Sequence, residues 1–245
     1  MGITVDVAYK SLNKYTEILC GDKVELLQTA DSNIMILADG MGSGVKANIL
    51  STLTSKILGT MFLNGATLEE CVDTISETLP ICQVRQVAYS TFSILQVYHN
   101  GDAYLVEYDN PGCIFIRDGK LMKIPKNVRV IQGKEINEYR FKVQKGDALI
   151  LMSDGTIHAG VGELLNFGWL WQDIADYAVR QYPPVSYTHL GLLESLHGWL
   201  PDRSACFHQN PCSVHRRNRI QRRTLRRKRF LRPGPGRRTD HKPER

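Results

Sequence analysis

Two tight turns between short strands constrain the fold of this chain more than any other feature. Asn100-Gly101 separates one pair of strand-like segments, and Asp118-Gly119 separates a second pair. The four segments are residues 89–98, 102–108, 113–116 and 120–124. Asn-Gly and Asp-Gly favour hairpin turns, which join neighbouring antiparallel strands. The sequence therefore predicts antiparallel sheet rather than a doubly wound parallel one.

Three further segments have the pattern of helices. Residues 45–63 place six large apolar side chains at helical spacing, and we expect this stripe to pack in the core. The stripe consists of Ile49, Leu50, Leu53, Ile57, Leu58 and Met61. Thr67-Leu-Glu-Glu70 is a capping box, and the helix that it begins should end at Pro80. A third helix is predicted from Trp169 to Tyr182, so the fold class is α+β, with antiparallel sheets packed between helices.

The charge of the chain divides it into two unlike parts. Residues 185–245 carry 15 Lys and Arg against 4 Asp and Glu, whereas residues 1–184 carry 16 against 21. The second part has few large apolar side chains after residue 213, too few to offset the entropy cost of folding. We therefore predict one folded domain over 1–184 and a basic, disordered tail over 185–245. The tail is either genuine or the product of a chimeric or frame-shifted end.

Composition also excludes several classes of protein. No apolar run approaches the ~18–20 residues that span a bilayer, and the N-terminus lacks a basic region followed by an apolar stretch. The six cysteines have no regular spacing, which favours reduced thiols over a disulfide scaffold. The expected location is the cytoplasm, without a membrane partner.

Carboxylates follow two of the apolar runs. Asp39 comes after residues 34–37 and Asp154 after residues 148–152, and each is followed directly by glycine. Such a pair can be a simple turn, but two strand ends can also converge on one point. Carboxylate and carbonyl oxygens are the ligands that Mg²⁺ and Mn²⁺ prefer. The loop over residues 40–44 matches neither a nucleotide P-loop nor a dinucleotide fingerprint.

The segment Leu37-Ala-Asp-Gly-Met-Gly-Ser-Gly44 resembles the signature of the metal-dependent PPM (PP2C-like) serine/threonine phosphatases. Within them the sequence is most similar to the stage II sporulation protein E branch. Cys20-Gly-Asp22 and the block from Lys145 to Gly155 match two further motifs of that family, in the same order. Tyr89-Ser-Thr91 and the turn Asp109-Asn-Pro-Gly112 match two others, so the resemblance covers residues 1–182.

The resemblance implies a four-layer αββα sandwich with two Mn²⁺ or Mg²⁺ ions at one end. Asp39 would bridge the two ions, and Gly40 would contribute its carbonyl oxygen. Asp154 would hold the second ion, while Asp22 would bind the first directly or through water. The ions would activate a water molecule for attack on the phosphate.

The resemblance also implies a substrate. The family's usual target is a phosphorylated regulatory protein, an anti-sigma-factor antagonist. Asp39 and Asp154 would then be the catalytic carboxylates, and Ser43 and Asn110 are weaker candidates for contacts with the phosphate. His158 could act as a general acid for the leaving oxygen, although a surface or capping role is the alternative.

One departure from the family pattern leaves other functions open. The family ends with a strand that carries another metal-binding aspartate, and no such segment follows residue 182. The fold is therefore expected to lack its last strand, and the site one ligand. A degenerate phosphatase fold used as a binding or signalling module is one alternative. Nucleic-acid binding through the Arg-rich residues 216–232 is another, provided that the tail is genuine.

Overall fold

The computed structural model describes residues 2–14, 16–78, 90–131, 134–161 and 165–182, and it contains both strands and helices. The strands are β1 (Asp22–Gln28), β2 (Ser32–Gly40), β3 (Ser90–Tyr98), β4 (Asp102–Tyr108), β5 (Ile114–Arg117), β6 (Lys120–Met122), β7 (Asn127–Ile131), β8 (Lys134–Lys142) and β9 (Ala148–Ile150). The helices are α1 (Gly44–Leu63), α2 (Leu68–Thr78), α3 (Asp154–Ile157) and α4 (Trp171–Gln181).

The strands form two sheets. The large sheet has the order β1-β2-β3-β4-β8-β7, and the small sheet has the order β6-β5-β9. Every strand pair is antiparallel. Both predicted hairpins are confirmed, because Asn100-Gly101 joins β3 to β4 and Asp118-Gly119 joins β5 to β6. Asp118 and Gly119 both have positive φ, as a two-residue hairpin turn with the right twist requires.

Three apolar clusters lie between four layers. The first packs α1 and α2 on the large sheet and contains Ile34, Ile36, Phe92, Ile94, Leu50, Leu58 and Ile75. The second fills the space between the sheets and contains Leu95, Val97, Leu105, Leu149 and Leu151. The third packs α4 on the small sheet and contains Ile114, Ile116, Ile174 and Ala178. The predicted αββα sandwich of antiparallel sheets is therefore confirmed.

Helix α1 confirms the predicted helix, but its buried face differs from the predicted stripe. Leu50 and Leu58 are buried, whereas Ile49 and Leu53 are 53% and 46% exposed. Small side chains take the remaining places against the sheet, among them Ala47, Ser51, Thr54, Ser55 and Gly59. Three of these bond back to carbonyl groups of their own helix, Ser51 to Asn48, Thr54 to Leu50 and Ser55 to Thr52. Their burial therefore leaves no hydroxyl unsatisfied, and the helix can approach the sheet closely.

The other two predicted helices are also present. The Thr67 N–H donates to Glu70 Oε2 at 2.7 Å and the Glu70 N–H donates to Thr67 Oγ1 at 3.3 Å, so the capping box forms. Helix α4 begins two residues later than predicted. Pro80, the tail over 185–245, its Arg-rich stretch 216–232 and the expected loss of the last strand all lie outside the described residues. Within the described residues, no helix is long and apolar enough to cross a membrane.

Truncation of leucines on the two faces of α1 tests its observed orientation. Leu58→Ala should lower the free energy of unfolding by about 2–5 kcal/mol, because it leaves a cavity in the first apolar cluster. Leu53→Ala removes the same atoms from a half-exposed position and should cost less than about 1 kcal/mol. Urea titrations of both variants measure the difference. Equal losses would show that both side chains are buried.

Candidate metal centre

The strand register places two of the predicted carboxylates side by side. Asp22, the first residue of β1, is the direct partner of Asp39 on β2, and Asp39 is the partner of Thr91 on β3. Residues directly opposite each other on antiparallel strands project to the same face of the sheet. Side chains alternate along β2, so Asp39 shares a face with Met35, which packs between the sheets. The side chains of Asp22, Asp39 and Thr91 therefore form a row at one end of the space between the sheets.

Asp154 reaches the same point from the small sheet. The chain leaves β9 at Ile150 and enters α3 at Asp154. Its neighbour Ser153 donates a hydrogen bond from Oγ to Asp22 Oδ2 at 2.9 Å, across 131 positions of sequence. The charges of Asp22 and Asp154 both act on Asp39 and raise its pKa. The structure thus brings together the three aspartates that the sequence singled out.

The cluster concentrates negative charge in a partly buried place. Burial, followed by the charges of Asp22 and Asp154, raises the pKa of Asp39 from 3.8 to about 8. Burial also raises the pKa of Asp22, against the effect of its hydrogen bond from Ser153. Carboxylates that repel each other in this way are stabilised when a cation joins them.

The donor atoms of this cluster fit hard divalent cations, because all of them are oxygens. Within the ranges that the structure describes, no three His, Cys, Asp or Glu side chains are arranged so that they could hold one metal ion. An ion here would therefore take one or two carboxylates and complete its shell with carbonyl and water oxygens. Mg²⁺ commonly binds proteins in this way.

The loop after Asp39 requires glycine both for close packing and for its backbone conformation. A Cβ atom at Gly40 would collide with the carbonyl group of Ala47 in α1. Gly42 and Gly44 have φ values of 103° and 68°, which favour glycine. Ser43 lies between them and donates a hydrogen bond to Glu17 Oε1 at 2.8 Å. No sequence motif indicated this contact with Glu17, which lies in an irregular segment.

The turn after β4 forms another side of the cluster. Asn110 accepts a hydrogen bond from Thr91 Oγ1 at 2.7 Å and donates one to Ser93 Oγ at 3.0 Å. These bonds fix the orientation of the amide, whose nitrogen carries a second N–H that could donate to a phosphate oxygen. Asp109 has a positive φ of 53°, and burial followed by the charge of Asp154 raises its pKa. Sequence reasoning missed Asp109, although its place in an Asp-Asn-Pro-Gly turn indicated an unusual backbone.

The cysteines and His158 are less suited to catalysis than the aspartates. Cys20, Cys71 and Cys113 have free thiols, and burial raises the pKa of each. Such thiols stay protonated and are poor nucleophiles. His158 is exposed at the C-terminal end of α3, where its N–H donates to the carbonyl of Asp154 at 3.0 Å. Its role as a general acid stays a prediction.

The repulsion in the cluster should be measurable as a loss of stability. A carboxyl group whose pKa is raised in the folded state destabilises that state progressively as pH rises from about 4 to about 8. Asp39→Asn should therefore stabilise the protein in EDTA by about 2 kcal/mol at pH 8 and by little at pH 4. Thermal unfolding across this pH range measures the gain. Asp6→Asn changes an exposed carboxylate and serves as the control; an equal gain there would contradict the account.

Solved structures share this fold at low sequence identity. The PP2C phosphatase domain of SpoIIE from Bacillus subtilis, solved with a fragment of its regulatory domain, has a TM-score of 0.56 and 19% identity, over 68% of this chain and 49% of that one. The SiaA PP2C domain of Pseudomonas aeruginosa has a TM-score of 0.55 and 17% identity, over 73% and 72%. The RsbU and RsbW domains of Rv1364c from Mycobacterium tuberculosis have a TM-score of 0.53 and 17% identity, over 67% and 46%.

These likenesses identify the fold as that of PP2C phosphatase domains. The chain spans about half the length of the SpoIIE and Rv1364c structures that it matches. No curated protein matches the sequence at a significant level. The family model for stage II sporulation protein E matches residues 29–178, a segment that contains Asp39 and Asp154. The chain belongs to the stage II sporulation protein E (SpoIIE) family.

Proposed function

We propose that the protein is a metal-dependent serine/threonine phosphatase. The observation that carries this proposal is the convergence of Asp22, Asp39 and Asp154. Asp22 pairs with Asp39 across neighbouring strands, and the charges of Asp22 and Asp154 raise the pKa of Asp39 to about 8. Oxygen atoms gathered in this way would suit divalent cations. The fold, which PP2C phosphatase domains share, supports the same chemistry.

Each residue of the cluster has a separate task in this proposal. Asp39 would hold both Mn²⁺ or Mg²⁺ ions, Asp22 would hold the first directly or through water, Asp154 would hold the second, and Gly40 would add its carbonyl oxygen. When bound, the ions would supply an activated water and neutralise the charge of the phosphate. The raised pKa of the Cys20 thiol argues against a covalent thiol route, because the thiolate is the reactive form.

The exposure of the cluster supports a phosphorylated protein as the substrate. Asp154 and Gly155 are exposed, so the phosphate of a side chain on another protein can reach them. We infer that the substrate is a cytoplasmic regulatory protein of the anti-sigma-factor-antagonist type. A solved neighbour that joins RsbU and RsbW domains in one chain is consistent with regulatory partners. Ser43, at the start of α1, remains a proposed contact for the phosphate, and Asn110 a weaker one.

Hydrolysis of p-nitrophenyl phosphate tests the proposal. The full chain should release p-nitrophenol in Mn²⁺ and lose that activity in excess EDTA. Asp39→Asn and Asp154→Asn should each reduce the rate by at least about 100-fold, since either change removes a ligand of the proposed ions. Asp6→Asn should retain the parent's rate, because that side chain is exposed and lies outside the cluster.

Two results would reject the proposal. Full activity of Asp39→Asn in excess EDTA would exclude a metal-dependent mechanism at this cluster. A folded parent that neither binds Mn²⁺ at millimolar concentration nor hydrolyses the ester would favour the alternative, a phosphatase fold that acts as a binding or signalling module. In favour of that alternative, no three His, Cys, Asp or Glu side chains of the described residues are arranged so that they could hold one metal ion.

A further inference from the structure

Ser153 occupies the N-cap position of α3 without capping it. Its backbone is extended, with φ −83° and ψ 169°. A serine here ordinarily accepts a hydrogen bond from an N–H of the first turn through its side chain. In this protein the side chain makes no such bond, and the Thr156 N–H donates instead to the backbone carbonyl of Ser153 at 3.1 Å. The hydroxyl is therefore available for another partner.

That partner is the carboxylate of Asp22. The Ser153 hydroxyl donates to Asp22 Oδ2 at 2.9 Å, and Ser153 is only 6% exposed. A buried hydroxyl that donates to a carboxylate forms a charge-assisted hydrogen bond, which is stronger than one between neutral groups. The bond also favours the charged form of Asp22, the form that binds a cation.

Asp22 and Ser153 come from different sheets. It is the first residue of β1, and β1 is the edge strand of the large sheet with β2 as its neighbour. Ser153 approaches it from the end of the small sheet and precedes Asp154 directly. The hydrogen bond from Ser153 thus orients one proposed ligand relative to another that comes from the opposite sheet.

We propose that Ser153 is a positioning residue that presets Asp22 for metal binding and sets its distance from Asp154. This inference rests on the proposed metal-dependent function. Residues that hydrogen-bond to metal ligands orient them before the metal binds, and their loss typically weakens metal affinity by about 10- to 100-fold. Ser153 carries out this task without contacting the metal or the substrate.

Calorimetric titration of the full chain with Mn²⁺ tests the inference. Ser153→Ala should weaken Mn²⁺ binding by about 10- to 100-fold, because Asp22 loses its donor. Ser153→Cys preserves the size of the side chain but donates weakly, so it should show the same loss even if the alanine variant folds poorly. Ser153→Thr retains the hydroxyl and should bind within about threefold of the parent.

Ser55→Ala is the matched control. Ser55 is as buried as Ser153, but its hydroxyl donates to the carbonyl of Thr52 within α1, about three turns from the start of that helix. Its Mn²⁺ affinity should equal that of the parent. Parent-like affinity in both Ser153→Ala and Ser153→Cys would overturn the inference and leave the proposed function intact. A parent that binds no Mn²⁺ would overturn both.

Discussion

The pairing of Asp22 with Asp39 is the constraint on which the rest of the site depends. Their register follows from the apolar pattern of β2, which turns Ile34, Ile36 and Ala38 toward α1. Because side chains alternate along a strand, Asp39 must then face the space between the sheets. A slip of one residue would turn Asp39 toward the helices and separate it from Asp22. The packing of β2 against α1 thus determines that the Asp39 carboxylate faces the space between the sheets.

The second half of the site depends on packing between the sheets. Asp154 and Ser153 follow β9, whose Leu149 packs against the large sheet in the second apolar cluster. The cluster of carboxylates therefore forms only when both sheets are in place. Folding brings like charges together, as the raised pKa of Asp39 indicates, and apolar burial must offset the cost. Sites that bind cations commonly retain such a local instability, since the bound cation removes the repulsion between the carboxylates.

Local chemistry explains which parts of the fold could be predicted from the sequence. The Asn100-Gly101 and Asp118-Gly119 turns and the Thr67 capping box each depend on residues close in the chain, and all three form as expected. The buried face of α1 could not be predicted from hydrophobicity, because Ser51 and Thr54 satisfy their hydroxyls within the helix and pack where larger apolar side chains were expected.

The residues of the candidate site could be predicted from the sequence, but their arrangement in space could not. The Asp-Gly pairs at 39 and 154 gave the sequence signal, but their meeting depends on contacts between strands far apart in the chain. Residue type did not mark Ser153 as part of the site, because its hydroxyl is diverted from capping α3 to Asp22. The turn that contains Asp109 indicated only an unusual backbone, which its positive φ confirms. Such roles depend on tertiary neighbours that residue type alone does not specify.

The most direct test of the account is a crystal structure of the protein grown with MnCl₂ and measured at the manganese absorption edge. The account predicts anomalous peaks beside the Asp39 carboxylate, with Asp22 on one side and Asp154 on the other. Peaks confined to other surfaces, or carboxylates of Asp39 and Asp154 too far apart to share a pair of ions, would contradict it.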